Sequence, residues 1–365
     1  MRKSEQEMKQ AFLSLLRAGL WGTAPDIQCF PLTNEEWDAL HAQAHRQTVV
    51  GIVYDGVLQL PEELLPSTHL LIRWTAEIDG LERTNRRMNQ DIASLFHWIT
   101  ENGMTPWLLK GQGVAACYEQ PLHRQCGDID IYFPHKEELI KVNHLLRERG
   151  VKVQPHANAG GVYRGGEFVV EQHIQLADIY NPSLSDYLQW LNQLEARNAT
   201  QWEVEGQTVL LPSPILTHLI STAHIFKHAM VFGIGFRQLC DAARISYHYH
   251  DRIDSRLLED VYRRTGILRW ATSLYGVQTK VLGLPEKYLP FPLSQNDNGC
   301  SWLDNVWKGG NFGFYNRSFS ASKIPQSEKK DIRKAALNLC SNMRYAPGEA
   351  FWFSLKKLYW LFMEK

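Results

Sequence analysis

Two aspartates, Asp128 and Asp130, sit inside an otherwise apolar run, G-D-I-D-I-Y-F at 127–133. Side chains alternate faces along a strand, so both acids point one way while Ile129, Ile131 and Phe133 point into a core. Two carboxylates held this close repel in a low-dielectric site. A divalent cation relieves the repulsion, and magnesium typically takes one or two carboxylates together with substrate phosphates. The plain alternative is a solvent-facing edge strand that happens to carry two acids.

The residues just upstream favour the metal. Leu109-Lys110-Gly111-Gln112-Gly113 reads as a strand end, a glycine turn and a helix start. Glycines let backbone N–H groups approach phosphate oxygens, and a helix start attracts anions. No GxxxxGK[ST] run is present, so this is not a Walker loop. Lys110 and Arg124 lie on either side of the turn and could meet phosphate charge. A third acid, Glu171, lies in "EFVVEQHIQL" and shares a strand face with Glu167, Val169, His173 and Gln175. A strand paired beside the aspartates would bring Glu171 toward the metal. Three carboxylates on adjacent strands suit two ions, one activating an acceptor hydroxyl and one holding nucleotide phosphates. The alternative for Glu171 is an exposed hairpin residue.

The order "LLKGQG…Y…P…R…GDIDIYF", a helix, then "EQH" resembles the polymerase-β-type nucleotidyltransferase superfamily. Within it, the chain is most similar to a bacterial branch carrying K-G, an arginine shortly before G-D-I-D, and E-x-H. The resemblance implies transfer of a nucleoside monophosphate from an NTP to an acceptor, with two Mg²⁺ ions. It implies Gly111 as the glycine of the nucleotide-cradling turn, with Gln112 and Gly113 completing it. It implies Asp128, Asp130 and Glu171 as metal ligands and catalytic acids, and Lys110 and Arg124 as phosphate contacts. One position departs from the family pattern. Gln112 stands inside the usual glycine doublet, and a serine that contacts phosphate in many members is absent. A nucleotide-binding or interaction protein with weak or no turnover is therefore the alternative.

A fainter echo lies downstream, in "HLISTAHIFKHAMVFGIGFRQLCDAARI". The same branch has a helix with H-x-x-x-H and an aspartate on the next helix, matched here by His224, His228 and Asp241. The two histidines fall one helical turn apart on one face. With Lys227, Arg237 and His173 they are candidates for a substrate pocket; a satisfied core pair and a metal site are the other readings.

The elements that must position these residues follow from periodicity. Helical spacing dominates the first hundred residues, with a capping box at Thr33 and Glu36 and a long helix over 67–101 stopped by Asn102-Gly103. The pattern then changes. Strands are expected at 104–109 and 128–133, a short helix at 111–118, a helix at 136–149 and a further strand near 151–153. A hairpin is expected around Gly165-Gly166. Helices return at 212–250, 254–282, 327–342 and 351–362, with a loop over 308–319 whose "GGNFG" could close over a substrate. The expected class is α+β: a small mixed sheet embedded between helical segments. The expected regions are 1–103 (helical), 104–210 (nucleotidyltransferase core) and 211–365 (helical).

Composition bounds the partners. Among 365 residues, 39 Lys plus Arg balance 39 Asp plus Glu, so no general basic surface exists to favour nucleic acid. A small-molecule acceptor is the better expectation. The six cysteines are scattered, without a CxxC pair, which suggests free thiols in a reducing, cytoplasmic setting. No apolar stretch approaches the length of a membrane span.

Overall fold

The computed structural model describes residues 3–156, 159–231, 233–293, 302–311 and 343–363. It is α+β, as expected. The chain divides into two compact units. The first comprises Met1–Ile78, Ile179–Leu184 and Ser221–Lys365, and the second Asp79–Asp178 and Ser185–Ile220.

The first unit is helical. Its chain begins with α1 (Glu5–Trp21), α2 (Asn34–Arg46), α3 (Val50–Val57) and the start of α4 (Thr68–Glu101). Thr33 and Glu36 form the expected capping box, each side chain accepting from the other's backbone N–H. The α1 and α3 backbones touch: a Cβ added to Gly19 would lie 1.8 Å from the Ile52 carbonyl oxygen, so no other residue fits there. The indole of Trp21 donates to the Leu282 carbonyl at 2.6 Å, and the Arg244 guanidinium to that of Leu20 at 2.9 Å. These bonds join the chain's start to helices from its second half.

The second unit holds a seven-stranded sheet. In chain order its elements are the rest of α4, β1 (Trp107–Leu108), α5 (Lys110–Ala115), β2 (Asp128–Tyr132), α6 (Lys136–Glu148), β3 (Gln154–His156), β4 (Ala159–Gly165) and β5 (Phe168–His173). Then come α7 (Ser185–Glu195), β6 (Thr200–Val204), β7 (Gln207–Leu211) and the first turns of α8 (Pro214–Val231). The strand order is β3-β4-β5-β2-β1-β7-β6. The β5–β2 and β1–β7 pairs are parallel and the rest antiparallel. Strand β2 is therefore interior, paired on both sides.

One face of the sheet makes the core. Ile129, Ile131 and Phe133 pack with Met88, Ile92, Phe96 and Ile99 of α4 and Val142 and Leu146 of α6. The alternation read from the sequence is the alternation observed, and it leaves Asp128 and Asp130 on the opposite face.

Several boundaries differ from expectation. The strand expected over 104–109 is limited to Trp107–Leu108, since Pro106 supplies no donor just before it. The strand expected at 151–153 begins at Gln154, because the α6 stop at Gly150 (φ 76°) carries the chain on until Val151 has bonded back to Leu146. The β4–β5 turn is Gly166-Glu167 rather than Gly165-Gly166, because Gly165 still pairs with Phe168. The β6–β7 hairpin was not expected at all. Its signal is nonetheless present: an alternating run broken by Glu205-Gly206, both at positive φ (48° and 78°), the conformation that two-residue hairpin turns demand.

Downstream, the helices are the remainder of α8, then α9 (Phe236–Tyr249), α10 (Ser255–Arg264), α11 (Leu268–Lys280), α12 (Leu303–Gly309) and α13 (Pro347–Met363). The helix expected at 327–342 and most of the 308–319 loop lie outside the described residues, as do Cys300 and Cys340. The other four cysteines are free thiols. Among the described residues no helix is long and apolar enough to cross a membrane.

The two faces of the sheet should respond differently to truncation. Ile131→Ala empties a fully buried site and is expected to cost about 2–5 kcal/mol. Val169→Ala, at an exposed position on the opposite face, should change stability by less than about 0.5 kcal/mol. Chemical denaturation of both variants checks the assignment.

Candidate active site

The site is set by strand register. In the parallel β2–β5 pair, Asp130 lies opposite Glu171, Asp128 opposite Val169 and Tyr132 opposite His173. Residues opposite one another share a face, so β5 delivers Glu171 and His173 beside the Asp130 carboxylate. The imidazole Nε2 of His173 is 2.6 Å from Asp130 Oδ1. Ligand atoms of Asp130, Glu171 and His173 all fall within 4.8 Å of one another. Asp130 is buried, Glu171 and His173 are half-buried, and Asp128, at the open start of β2, is exposed.

The other neighbour of β2 supplies the cation. The Leu109 N–H donates to the Asp130 carbonyl at 2.9 Å, continuing the β1–β2 ladder by one residue. Immediately after it, Lys110 takes a positive φ of 30°, a region side-chain-bearing residues rarely occupy. This turn brings the Lys110 ammonium back to Asp130 Oδ1, at 3.0 Å. Burial alone would pull the Lys110 pKa down, but the charges of Asp130, Asp178 and Glu171 outweigh it. The net direction is up, and Lys110 stays protonated through neutral pH.

Gly111 continues the turn at φ 37°, ψ −119°, a break in helical geometry at the start of α5. A Cβ there would lie 3.2 Å from the Asp128 carbonyl oxygen. Positive φ and close approach to β2 both ask for glycine.

The residue that departs from the glycine pattern has a structural partner. Gln112 is buried, and its amide donates to Asn85 Oδ1 at 3.1 Å. The Asn85 amide in turn donates to the carbonyls of Leu122 (2.7 Å) and Arg124 (3.0 Å). Gln112 thus braces, through α4, the segment carrying Arg124. Arg124 is itself buried, its guanidinium against the Cys126 thiol.

The remaining candidates lie in the helical unit. His224 and His228 on α8 stand edge to face, their Nε2 atoms 3.0 Å apart. Lys227 and Arg237 are half-buried and Asp241 is buried. Asp178, which sequence reasoning missed, lies in a segment without regular periodicity, so no pattern marked it.

With this geometry in hand, comparison with known proteins is decisive for the family. Residues 33–281 match the family described as "Uncharacterised nucleotidyltransferase". The chain belongs to this family. The match covers the whole sheet and helices α8 and α9. No curated protein matches the chain. Among solved structures, an antigenic nucleotidyltransferase-like protein from Paracoccidioides brasiliensis aligns at 15% identity and a TM-score of 0.29, over 51% of this chain and 88% of that one.

The lysine has a testable electrostatic signature. Lys110→Met leaves the Asp130 carboxylate without its buried ammonium and is expected to cost about 3–5 kcal/mol at neutral pH. Because the folded-state pKa of Lys110 is raised above 10.5, its contribution is complete below that pH and is lost as pH rises through the folded value. The difference in unfolding free energy between wild type and variant should therefore hold steady from about pH 7 to 10 and narrow above that.

Proposed function

We propose that the chain moves a nucleoside monophosphate from an NTP to a small-molecule acceptor. An acceptor oxygen attacks the α-phosphorus, a P–O bond forms, and the bond to the β-phosphate breaks to release pyrophosphate. The observation that carries this reading is the register that sets Asp130 across from Glu171 beside the Lys110 turn.

The donor set suits a divalent ion. Carboxylate oxygens of Asp130 and Glu171 converge within the reach of one cation, with Asp128 two residues along the same face. In this reading Asp128, Asp130 and Glu171 hold Mg²⁺, which supplies charge stabilisation at the phosphates and pyrophosphate. The protein's own residues position the rest. Lys110 offers a permanently charged ammonium to the triphosphate. Gly111, Gln112 and Gly113 offer backbone N–H groups, since the Gln112 side chain is engaged by Asn85. Arg124 is held near the turn by the same asparagine. His173 orients Asp130 through its 2.6 Å contact. The balanced charge of the chain favours a small acceptor.

A second reading has its own support. Lys110 already neutralises Asp130, and the phosphate-contacting serine is absent at Gln112. A protein that binds nucleotide without turnover would tolerate both.

Calorimetry with each NTP, with and without Mg²⁺, together with pyrophosphate release across an acceptor panel, separates the two. Transfer predicts Mg²⁺-dependent binding and pyrophosphate release that falls by at least about 10³-fold in Asp128→Asn plus Asp130→Asn. Tight binding with no release favours the second reading. Absence of Mg²⁺-dependent binding, or binding unchanged in the double variant, removes the premise of both.

A further inference from the structure

A different set of ligand atoms converges in the helical unit. His41 and His45 stand four residues apart on α2, so their rings share one helix face. Glu77 on α4 reaches both. Its Oε2 lies 2.9 Å from His41 Nε2, and its Oε1 lies 2.7 Å from His45 Nε2. The two rings meet edge to face with centroids 4.7 Å apart. All three ligand atoms lie within 4.8 Å of one another.

The frame around them is built by packing. The capping box at Thr33 fixes the start of α2. The Arg73 guanidinium bonds Asp38 Oδ1 at 2.9 Å, tying α4 to α2 a turn away from the cluster. The His41 ring packs edge to face on Trp74 at 4.6 Å, and Trp74 is fully buried with its indole donating to the Val50 carbonyl. The Tyr54 hydroxyl bonds Thr75, the residue after Trp74, at 2.8 Å. The backbone positions of all three side chains are therefore set before any ligand arrives, which lowers the ordering cost of binding one.

We propose that His41, His45 and Glu77 form a binding site for a divalent transition-metal ion of the zinc class. Two imidazole nitrogens and one carboxylate are a donor set that zinc accepts, with a fourth position left for water. Imidazole selects against Mg²⁺, which separates this site from the carboxylate cluster on β2. Zinc ligands lie about 2.0–2.2 Å from the ion, so the ligand atoms must settle around a common centre. The movable members are the solvent-facing ones: His45 and Glu77 side chains are 44% and 29% exposed, against 12% for His41. The exposed side is also where water reaches the fourth position. Binding at Nε2 requires each ring to carry its proton on Nδ1, a tautomer shift that leaves the imidazole neutral. Burial favours the neutral form of His41, pulling its pKa down, with the Glu77 hydrogen bond offsetting part of that and the His45 and Arg73 charges adding to it. The bound ion would clamp α2 to α4 through side chains already in contact.

The test uses the full chain stripped with a chelator. Zn²⁺ is titrated calorimetrically, and Co²⁺ is used as a visible-absorption probe of coordination. One ion is expected at this site, with Co²⁺ bands that Zn²⁺ abolishes and a rise in Tm on adding Zn²⁺. His45→Ala and Glu77→Gln, changes at the two more exposed ligands, should each weaken Zn²⁺ binding by more than about 100-fold and abolish the Tm rise. Circular dichroism establishes that both variants remain folded. In Asp130→Asn the Zn²⁺ affinity and Co²⁺ spectrum should persist, which keeps this site distinguishable from the β2 cluster. Wild-type binding weaker than about 100 µM would overturn the proposal, as would wild-type affinity and spectrum in both ligand variants.

Discussion

A carboxylate buried on an interior strand is the constraint around which the sheet unit is arranged. Asp130 lies opposite Glu171 in a parallel pair, so two carboxylates share one stretch of the same face. The compensation comes from both neighbouring strands: His173 from β5, and Lys110 from the turn after β1. This is possible only because β2 is flanked on both sides. At a sheet edge, one of the two partners would be missing. The opposite face enforces the arrangement. Ile129, Ile131 and Phe133 are committed to the α4 and α6 contacts, and a one-residue slip of β2 would bury Asp128 and expose the isoleucines.

The lysine turn shows how much local strain that compensation sustains. Lys110 and Gly111 both take positive φ, and only Gly111 is suited to it. The Lys110 conformation is held by what it reaches. Desolvation is the largest influence on its charge, yet the summed pull of Asp130, Asp178 and Glu171 exceeds it. That conformation costs about 1–3 kcal/mol of backbone strain, and it is what seats the ammonium on the Asp130 carboxylate. The same contact means that a cation entering the site meets a carboxylate already shared with an ammonium. In the proposed transfer, a cation on Asp130 would compete with Lys110 for the carboxylate and would leave the ammonium available to phosphate.

The sequence carried the period-two face of β2 plainly, because alternation over six residues has only one burial solution. Glu171 was legible for the same reason, as a member of a hairpin strand whose face could be counted. What could not be counted was tertiary. Asn85 and Gln112 are 27 positions apart and meet only because α4 lies along the α5 segment. Asp178 follows β5 in irregular chain, where no period exists to place it. The positive φ of Lys110 contradicts its residue type, so propensity argues against it. The β6–β7 hairpin is a different matter: its alternation and its Glu205-Gly206 turn were present, and the pull of the helical pattern on either side obscured them.

The two histidine pairs of the helical unit make the physical distinction sharper. Both show H-x-x-x-H on a helix, and both bring their rings edge to face, with centroids 4.3 Å apart in one and 4.7 Å in the other. Helical spacing accounts for that much and no more. At His224 and His228 the two Nε2 atoms face each other at 3.0 Å, a contact in which one ring donates and the other accepts. At His41 and His45 both nitrogens instead face a carboxylate from another helix, 36 positions from the first of them. A carboxylate adds negative charge and a hard oxygen donor, so this set can share a cation. Glu77 comes into reach because the packing of Trp74, three positions earlier, sets which side chain α4 presents to α2.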